Sequence, residues 1–413
     1  MAIRYFTNVL KIYGISKRLT RPLRGNEYMQ LKTLENAYLK IEDDTIIDYG
    51  PMSDLINIEA EAKIFDCTGR SILPGYCDSH THIVFPRPRH EEFVDKIKGL
   101  SYEEIAAKGG GIIQSALMLR KMSDTELLEG ALQRLQSMIK TGTVAVEIKS
   151  GYGLDLASEL KTLAVIRRLK ELTDVPIKST FLGAHAVPPE FKNNQEGYVT
   201  YLIERMLPVV ADSGLADYVD VFCDKGFFTV DQTARILEAA SKYGLKPKIH
   251  ANELDYSGGV QVGVAHKALS VDHLERAGEE EFDVLSQSET IATLLPGTAF
   301  FLNLPYPDYQ KMKKKNVAVA LASDFNPGSC PSGNMNFVIA LACIKMKMLP
   351  EEALALSTIN GAFAMELGLS HGSIECGKMA SFLLTERIDD VSQIPYYFSE
   401  NLIYKTIING KVD

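Results

Sequence analysis

From about residue 72 to residue 321, short runs rich in β-branched residues alternate with helical segments, and no other property of the chain restricts its fold so tightly. The first run, Ile72-Leu73-Pro74-Gly75-Tyr76, leads into Asp78-Ser79-His80-Thr81-His82. Seven more runs follow, at residues 143–147, 177–181, 218–222, 247–250, 269–273, 290–294 and 317–321. The helices between them announce themselves by their caps. Ser123 and Glu126 form a capping box ahead of the stripe Leu127, Leu128, Ala131, Leu135 and Met138, and Gly142 stops it. Thr229 with Gln232 caps a segment over 233–243 that Gly244 ends, and Ser158 opens a helix carrying Leu160, Leu163 and Leu169. Eight strand-and-helix units in sequence predict an α/β fold, a (β/α)8 TIM barrel. Barrels of this kind place their chemistry at the C-terminal ends of the strands.

The flanks read differently. Short apolar runs broken by turn residues occupy 37–41, 45–50 and 62–67, and similar runs return at 381–385 and 404–410. One small β-rich domain built from both chain ends accounts for them. The expected organisation is residues 1–73 as the first part of that domain, 74–374 as the barrel and 375–413 as its second part, and 413 residues suffice for both. The net charge of −9 argues against a nucleic-acid partner held by a broad basic surface, and it makes an anionic substrate dependent on a local arginine or lysine. Six scattered cysteines with no C-x-x-C pair suit reduced thiols in a cytoplasmic protein. The first residues lack a signal-peptide core, and the longest apolar run, near 335–344, is too short to span a bilayer, so no membrane association is expected.

The polar residues at the predicted strand exits form a set. His80 and His82 are two apart on the first strand and therefore face the same way. His185 follows the third strand, His250 ends the fifth with Glu253 just beyond, His273 ends the sixth and Asp324 ends the eighth. His90, His266 and His371 have no such place. A single histidine at a strand end is more often a hydrogen-bonded structural residue, and a single aspartate a turn cap. The joint pattern of His80, His82, His250 and Asp324 is what points to metal. Three imidazole nitrogens and one carboxylate oxygen suit one divalent ion, zinc or iron, with a position left for water. Lys225 comes too late after strand four to bridge a second ion. Gly109-Gly110-Gly111 lacks the Gly-Lys-Ser/Thr ending of a phosphate loop and reads as a turn near the site. The basic run within 311–315 reads as a solvated helix face.

The order His-x-His, His, His, Asp on barrel strands resembles the amidohydrolase superfamily. Further runs resemble one family within it, the imidazolonepropionases of histidine degradation. They are Gly109-Gly110-Gly111-Ile112, Glu147-Ile148-Lys149-Ser150-Gly151-Tyr152-Gly153-Leu154, Phe181-Leu182-Gly183-Ala184-His185-Ala186-Val187-Pro188, His250-Ala251-Asn252-Glu253, Asp272-His273-Leu274-Glu275 and Ser323-Asp324-Phe325-Asn326-Pro327-Gly328-Ser329. The resemblance implies a barrel carrying a small β-sandwich, one metal and a homodimer. It also implies ring-opening hydrolysis of a small-molecule substrate, 4-imidazolone-5-propanoate, to N-formimino-L-glutamate. Carried over residue by residue, the metal ligands are His80, His82, His250 and Asp324. Arg89, Tyr152, His185, Glu253, Asn326, Gly328 and Ser329 match substrate-contacting positions, while Asp324, His273 and Glu253 match catalytic ones. Asp324 can take the proton of an attacking water, and Asp324, His273 or Glu253 can protonate the leaving nitrogen. Arg89 offers the fork a carboxylate prefers, with Arg87 as its rival, because Phe85-Pro86-Arg87-Pro88-Arg89 has prolines where relatives often have glycines. Ser381 stands where the superfamily usually has aspartate, away from the chemistry. Two other readings remain open: another amidohydrolase such as a heterocycle deaminase, and a catalytically inactive barrel used as an assembly protein.

Overall fold

A computed structural model of the chain describes residues 2–100, 104 and 110–412. Its longest strand, β1 (Ile3–Ile15), lies near the middle of a mixed seven-stranded sheet. β1 runs antiparallel to β2 (Lys32–Glu42), which pairs with β3 (Thr45–Pro51), and parallel to β4 (Lys63–Asp66) and β5 (Arg70–Pro74). The chain departs for the barrel and returns as β14 (Phe382–Arg387) and β15 (Ile403–Ile407), which extend the sheet beyond β5. Both chain ends thus build one unit, as expected. It closes on its own apolar core, where Phe6 stacks on Phe65 and meets the edge of Phe382. β1 itself escapes the sequence pattern because Asn8 sits at φ +55 and the pairing register shifts between Phe6 and Val9. An extra residue there turns later side chains to the opposite face and breaks the period-two alternation.

The barrel strands are β6 (Tyr76–Thr81), β7 (Thr143–Lys149), β8 (Ile177–Ala184), β9 (Tyr218–Cys223), β10 (Lys246–Ala251), β11 (Ser270–His273), β12 (Ile291–Leu294) and β13 (Val319–Leu321). They follow in sequence order, every neighbour parallel. The first and last segments are stitched together just past their strands. Thr81 bridges Phe325, the His82 N–H donates to the Phe325 carbonyl at 2.9 Å, and the Asp324 N–H donates to the His80 carbonyl at 3.0 Å. Below them, Ser323 donates from both its amide and its hydroxyl to Asp78. This seam carries His80 and His82 beside Asp324.

The helix Asp124–Lys140 has the capping box read from Ser123 and Glu126, and it buries Leu127, Leu128, Ala131, Leu135 and Met138. Each fully buried leucine there contributes roughly 1.5–3 kcal/mol. The Thr229 box likewise starts the helix Val230–Ser241. Ser158 does not open its helix: Leu156–Leu172 begins at the Asp155 cap, whose carboxylate accepts the Ser158 N–H at 2.8 Å. Aspartate is as good a cap as serine, and here it lies one turn earlier. Lys311 and Lys315 of the helix Tyr309–Lys314 and its C-cap pair with surface carboxylates, Lys311 with Glu279, and Lys315 with Glu279 and Asp283, but Lys313 turns to the buried Glu352, so the face is not wholly solvated. No helix among the described residues is long and apolar enough to cross a membrane.

Candidate active site

The barrel interior is polar where apolar layers are usual. Glu147 and Lys149 on β7, Asp220 on β9, Lys248 on β10 and Asp272 on β11 are all fully buried. Lys149 Nζ donates to Glu147 Oε1 at 2.7 Å and Asp220 Oδ2 at 2.7 Å, and lies 3.4 Å from Asp272 Oδ2. Lys248 pairs with the other Glu147 oxygen and donates to the Ser79 carbonyl at 3.1 Å. Burial alone would strip Lys149 of its proton, but the carboxylates of Asp220, Glu147 and Asp272 hold its pKa above the ordinary lysine value.

Above this layer the imidazoles converge. The Nε2 atoms of His80 and His82 are 3.2 Å apart, those of His82 and His250 are 3.3 Å apart, and Asp324 Oδ1 lies 3.5 Å from both His80 and His82 Nε2. His80 Nδ1 is 2.6 Å from Asp272 Oδ2. An ionised carboxylate only accepts, so His80 carries its proton on Nδ1 and presents a bare Nε2. His250 Nδ1 lies 3.0 Å from Asp220 Oδ2, off the hydrogen-bonding axis, and its backbone N–H donates to the same carboxylate at 3.1 Å. Burial holds His80, His82 and His250 neutral, with pKa values well below the usual imidazole range. Neutral nitrogens packed this closely are a donor set for a cation, and the cluster supports a metal cofactor.

A cavity of about 380 Å³ opens over the cluster. Every sequence-predicted site residue except His80 lines it; His80 is fully buried beneath. Arg89 lines the cavity, whereas Arg87 is exposed and borders only a neighbouring cleft. A second cleft, of about 420 Å³, lies among residues 15–32 and contains none of these groups. Glu253 Oε2 is 3.7 Å from His273 Nε2, and Glu275 Oε2 is 3.5 Å from His273 Nδ1. Burial would neutralise His273, yet Glu253 and Glu275 hold its pKa well above the usual value. Burial pushes Glu253 up to about 7. His273 at φ +85, Leu274 at φ +70 and Asp324 at φ +55 put left-handed backbone at two strand exits, a conformation costly for most side chains and concentrated at functional sites.

Two loops shape the walls. Glu159, fully buried, accepts the amides of Gly151, Gly153 and Leu154 at 3.0, 2.8 and 2.9 Å, which sets Tyr152 against the cavity. Gly151 has φ +105, and a Cβ there would come within 2.8 Å of His185 Nδ1. His185 Nδ1 is 3.0 Å from the Gly151 carbonyl, and burial lowers its pKa to about 4. In the other loop Asn326 Oδ1 accepts the amides of Gly328 and Ser329, both at 2.8 Å. Those two amides are therefore already engaged, while the Ser329 hydroxyl turns to Asp324. Asp324 Oδ2 accepts from Thr298 Oγ1 at 2.5 Å and from Ser329 Oγ at 3.3 Å. Sequence reasoning missed Glu159, Thr298, the buried lysines and Lys96, a cation on the cavity wall. Lys248 had a legible signal, because it lies two residues before His250 on one strand and must share its direction. Of the triple glycine, Gly109 lies outside the described residues, and Gly110 and Gly111 begin the helix Gly111–Lys121.

A closed parallel barrel, a sheet from both chain ends and a histidine–aspartate cluster at the strand exits define an amidohydrolase-type hydrolase. Residues 71–412 match the family described as Amidohydrolase family. The chain is 50% identical over 406 residues to a protein named imidazolonepropionase from Christiangramia forsetii, covering 98% of each. It is 48% identical to one of the same name from Flavobacterium johnsoniae, covering 99% of this chain and 100% of that one. A third, from Caldanaerobacter subterraneus, is 40% identical with 97% of each covered. The chain belongs to the imidazolonepropionases, within the amidohydrolase family. Among solved structures, E. coli guanine deaminase shares the fold with a TM-score of 0.75 at 14% identity, covering 100% of this chain and 98% of that one. An adenosine deaminase from Xanthomonas campestris with bound zinc shares it with a TM-score of 0.67 at 15% identity, covering 98% and 93%.

Proposed function

We propose that the chain hydrolyses the cyclic amide of 4-imidazolone-5-propanoate to N-formimino-L-glutamate. One observation carries this reading: a single cavity presents the histidine–aspartate cluster and the Arg89 guanidinium together, so a small ring bearing a carboxylate chain meets both. His80, His82, His250 and Asp324 would hold one divalent ion, zinc or iron. Such an ion supplies the Lewis acidity that makes water a nucleophile near neutral pH. The six free thiols suit a cytoplasmic setting.

The residues divide the remaining work. Asp324, its carboxyl raised by burial and steadied through Thr298 and Ser329, accepts the proton of the attacking water. The water oxygen bonds to the ring carbonyl carbon, whose oxygen becomes negative. His273, kept charged by Glu275, whose Oε2 lies 3.5 Å from Nδ1, faces that developing charge. The C–N bond then breaks, its electron pair stays on nitrogen, and Glu253 delivers the proton that nitrogen takes up. Arg89 hydrogen-bonds the carboxylate, and Tyr152 and the neutral His185 hydrogen-bond the ring. The test is turnover by metal-loaded protein, followed as loss of the ring chromophore. Release of ammonia in the same step would instead identify a deaminase, and no turnover with metal bound would favour an inactive barrel.

A pH dependence follows. A donor must be protonated, and Glu253 is protonated below about 7. kcat/KM is therefore expected to fall on the alkaline side of pH 7. Glu253→Gln should lower kcat by about 10²-fold or more and abolish that limb. An unchanged limb in Glu253→Gln would assign the donor elsewhere.

A further inference from the structure

We infer that Lys96 is a specificity-determining residue, supplying the uncompensated positive charge by which the cavity holds its substrate's carboxylate; this rests on the substrate reading above. Arg89 is not available as a net charge. Its Nε and Nη2 are engaged by Glu92 Oε1 and Oε2 at 2.8 and 2.5 Å, both side chains being about 15% exposed. Glu92 Oε1 is fixed further by the Gly111 amide at 3.0 Å. Two parallel bonds across a guanidinium and a carboxylate make a neutral unit. An anion arriving beside that unit gains little unless another cation is present.

Lys96 is that cation. It lies one turn beyond Glu92 on the helix His90–Ile97 and lines the cavity. Its Nζ donates to the Gly328 carbonyl at 3.1 Å, and it makes no ion pair among the described residues. The same glycine faces Arg89, since a Cβ on Gly328 would stand 2.4 Å from Arg89 Nη1. The two cations therefore converge on one point of the wall. Counted together, Arg89, Lys96 and Glu92 carry one net positive charge, which matches one carboxylate. Burial lowers the Lys96 pKa, and Arg89 pushes it down further than the Glu92 carboxylate lifts it. Its Nζ stands 5.8 Å from the centre of the Phe301 ring.

The test uses metal-loaded protein and two inert probes, 3-(imidazol-4-yl)propanoate and its carboxamide. Lys96→Met should weaken the carboxylate probe about ten- to hundredfold and leave the carboxamide within about twofold. For the substrate it should raise KM with kcat little changed, the mark of lost uniform binding. Lys96→Arg should retain most of the affinity. Lys96→Met combined with Glu92→Gln restores the net charge and should recover most of the lost affinity. Equal weakening of both probes, or a double variant no better than Lys96→Met, would make Lys96 a prop for the Gly328 loop and overturn the assignment. So would wild-type affinity in Lys96→Met while the parent enzyme turns the substrate over. A parent enzyme that neither binds the carboxylate probe nor turns over the substrate would sink the substrate reading itself, and Lys96's part with it.

Discussion

Asp324→Asn is expected to lose turnover by about 10⁴-fold while the protein remains folded, because one side chain would serve both as an ion's ligand and as the acceptor of the water's proton. Asparagine is the informative replacement. Position 324 has φ +55, which aspartate and asparagine tolerate better than alanine does. The amide oxygen can still accept from Thr298, so the fold loses little. Asp324→Ala should lose turnover as completely but leaves the Thr298 hydroxyl without its partner. Circular dichroism, metal content and steady-state kinetics together check this. A folded Asp324→Asn protein with near-parental kcat would remove Asp324 from the chemistry.

Lys149→Met is expected to cost about 3–5 kcal/mol of stability, far more than its loss of contacts suggests. Three carboxylates, those of Glu147, Asp220 and Asp272, surround its amine, and all four side chains are fully buried. Removing the lysine leaves them facing one another in low dielectric. They must then take up protons or separate, and either disturbs the Asp272–His80 and Asp220–His250 contacts above. Metal affinity should fall alongside stability. Urea unfolding gives the first quantity and a competing chelator the second. A variant within about 1 kcal/mol of the parent, with unchanged affinity, would show that the buried charges do not depend on one another.

The barrel and the outline of the site were legible because two periodicities coincide. Strand side chains alternate, so His80 and His82 had to share a face, and barrel strands point their last residues toward one mouth. The polar floor was harder to see. Glu147, Lys149, Asp220 and Asp272 lie in runs that read as ordinary strands, and a charged residue in such a run looks solvent-facing until the barrel turns it inward. Lys96 was missed for a different reason: it sits on a helix beyond the first strand exit, and only folding brings it to the cavity wall. Ser158 and β1 show the local limits, the first through a competing cap at Asp155 and the second through the shifted register after Phe6. The choice between Arg87 and Arg89 needed the backbone direction after β6, which two prolines obscure.

The seam joining Thr81 to Phe325 has a bearing on synthesis. Its two halves are separated by most of the polypeptide, and the proposed ligands His82 and Asp324 stand on opposite sides of it. A nascent chain halted before its last third owns the histidines but lacks the carboxylate, and cannot assemble the hydrolytic centre. Competence for chemistry then arrives only when translation has passed Asp324 and the cylinder has shut, so a half-made product is catalytically silent.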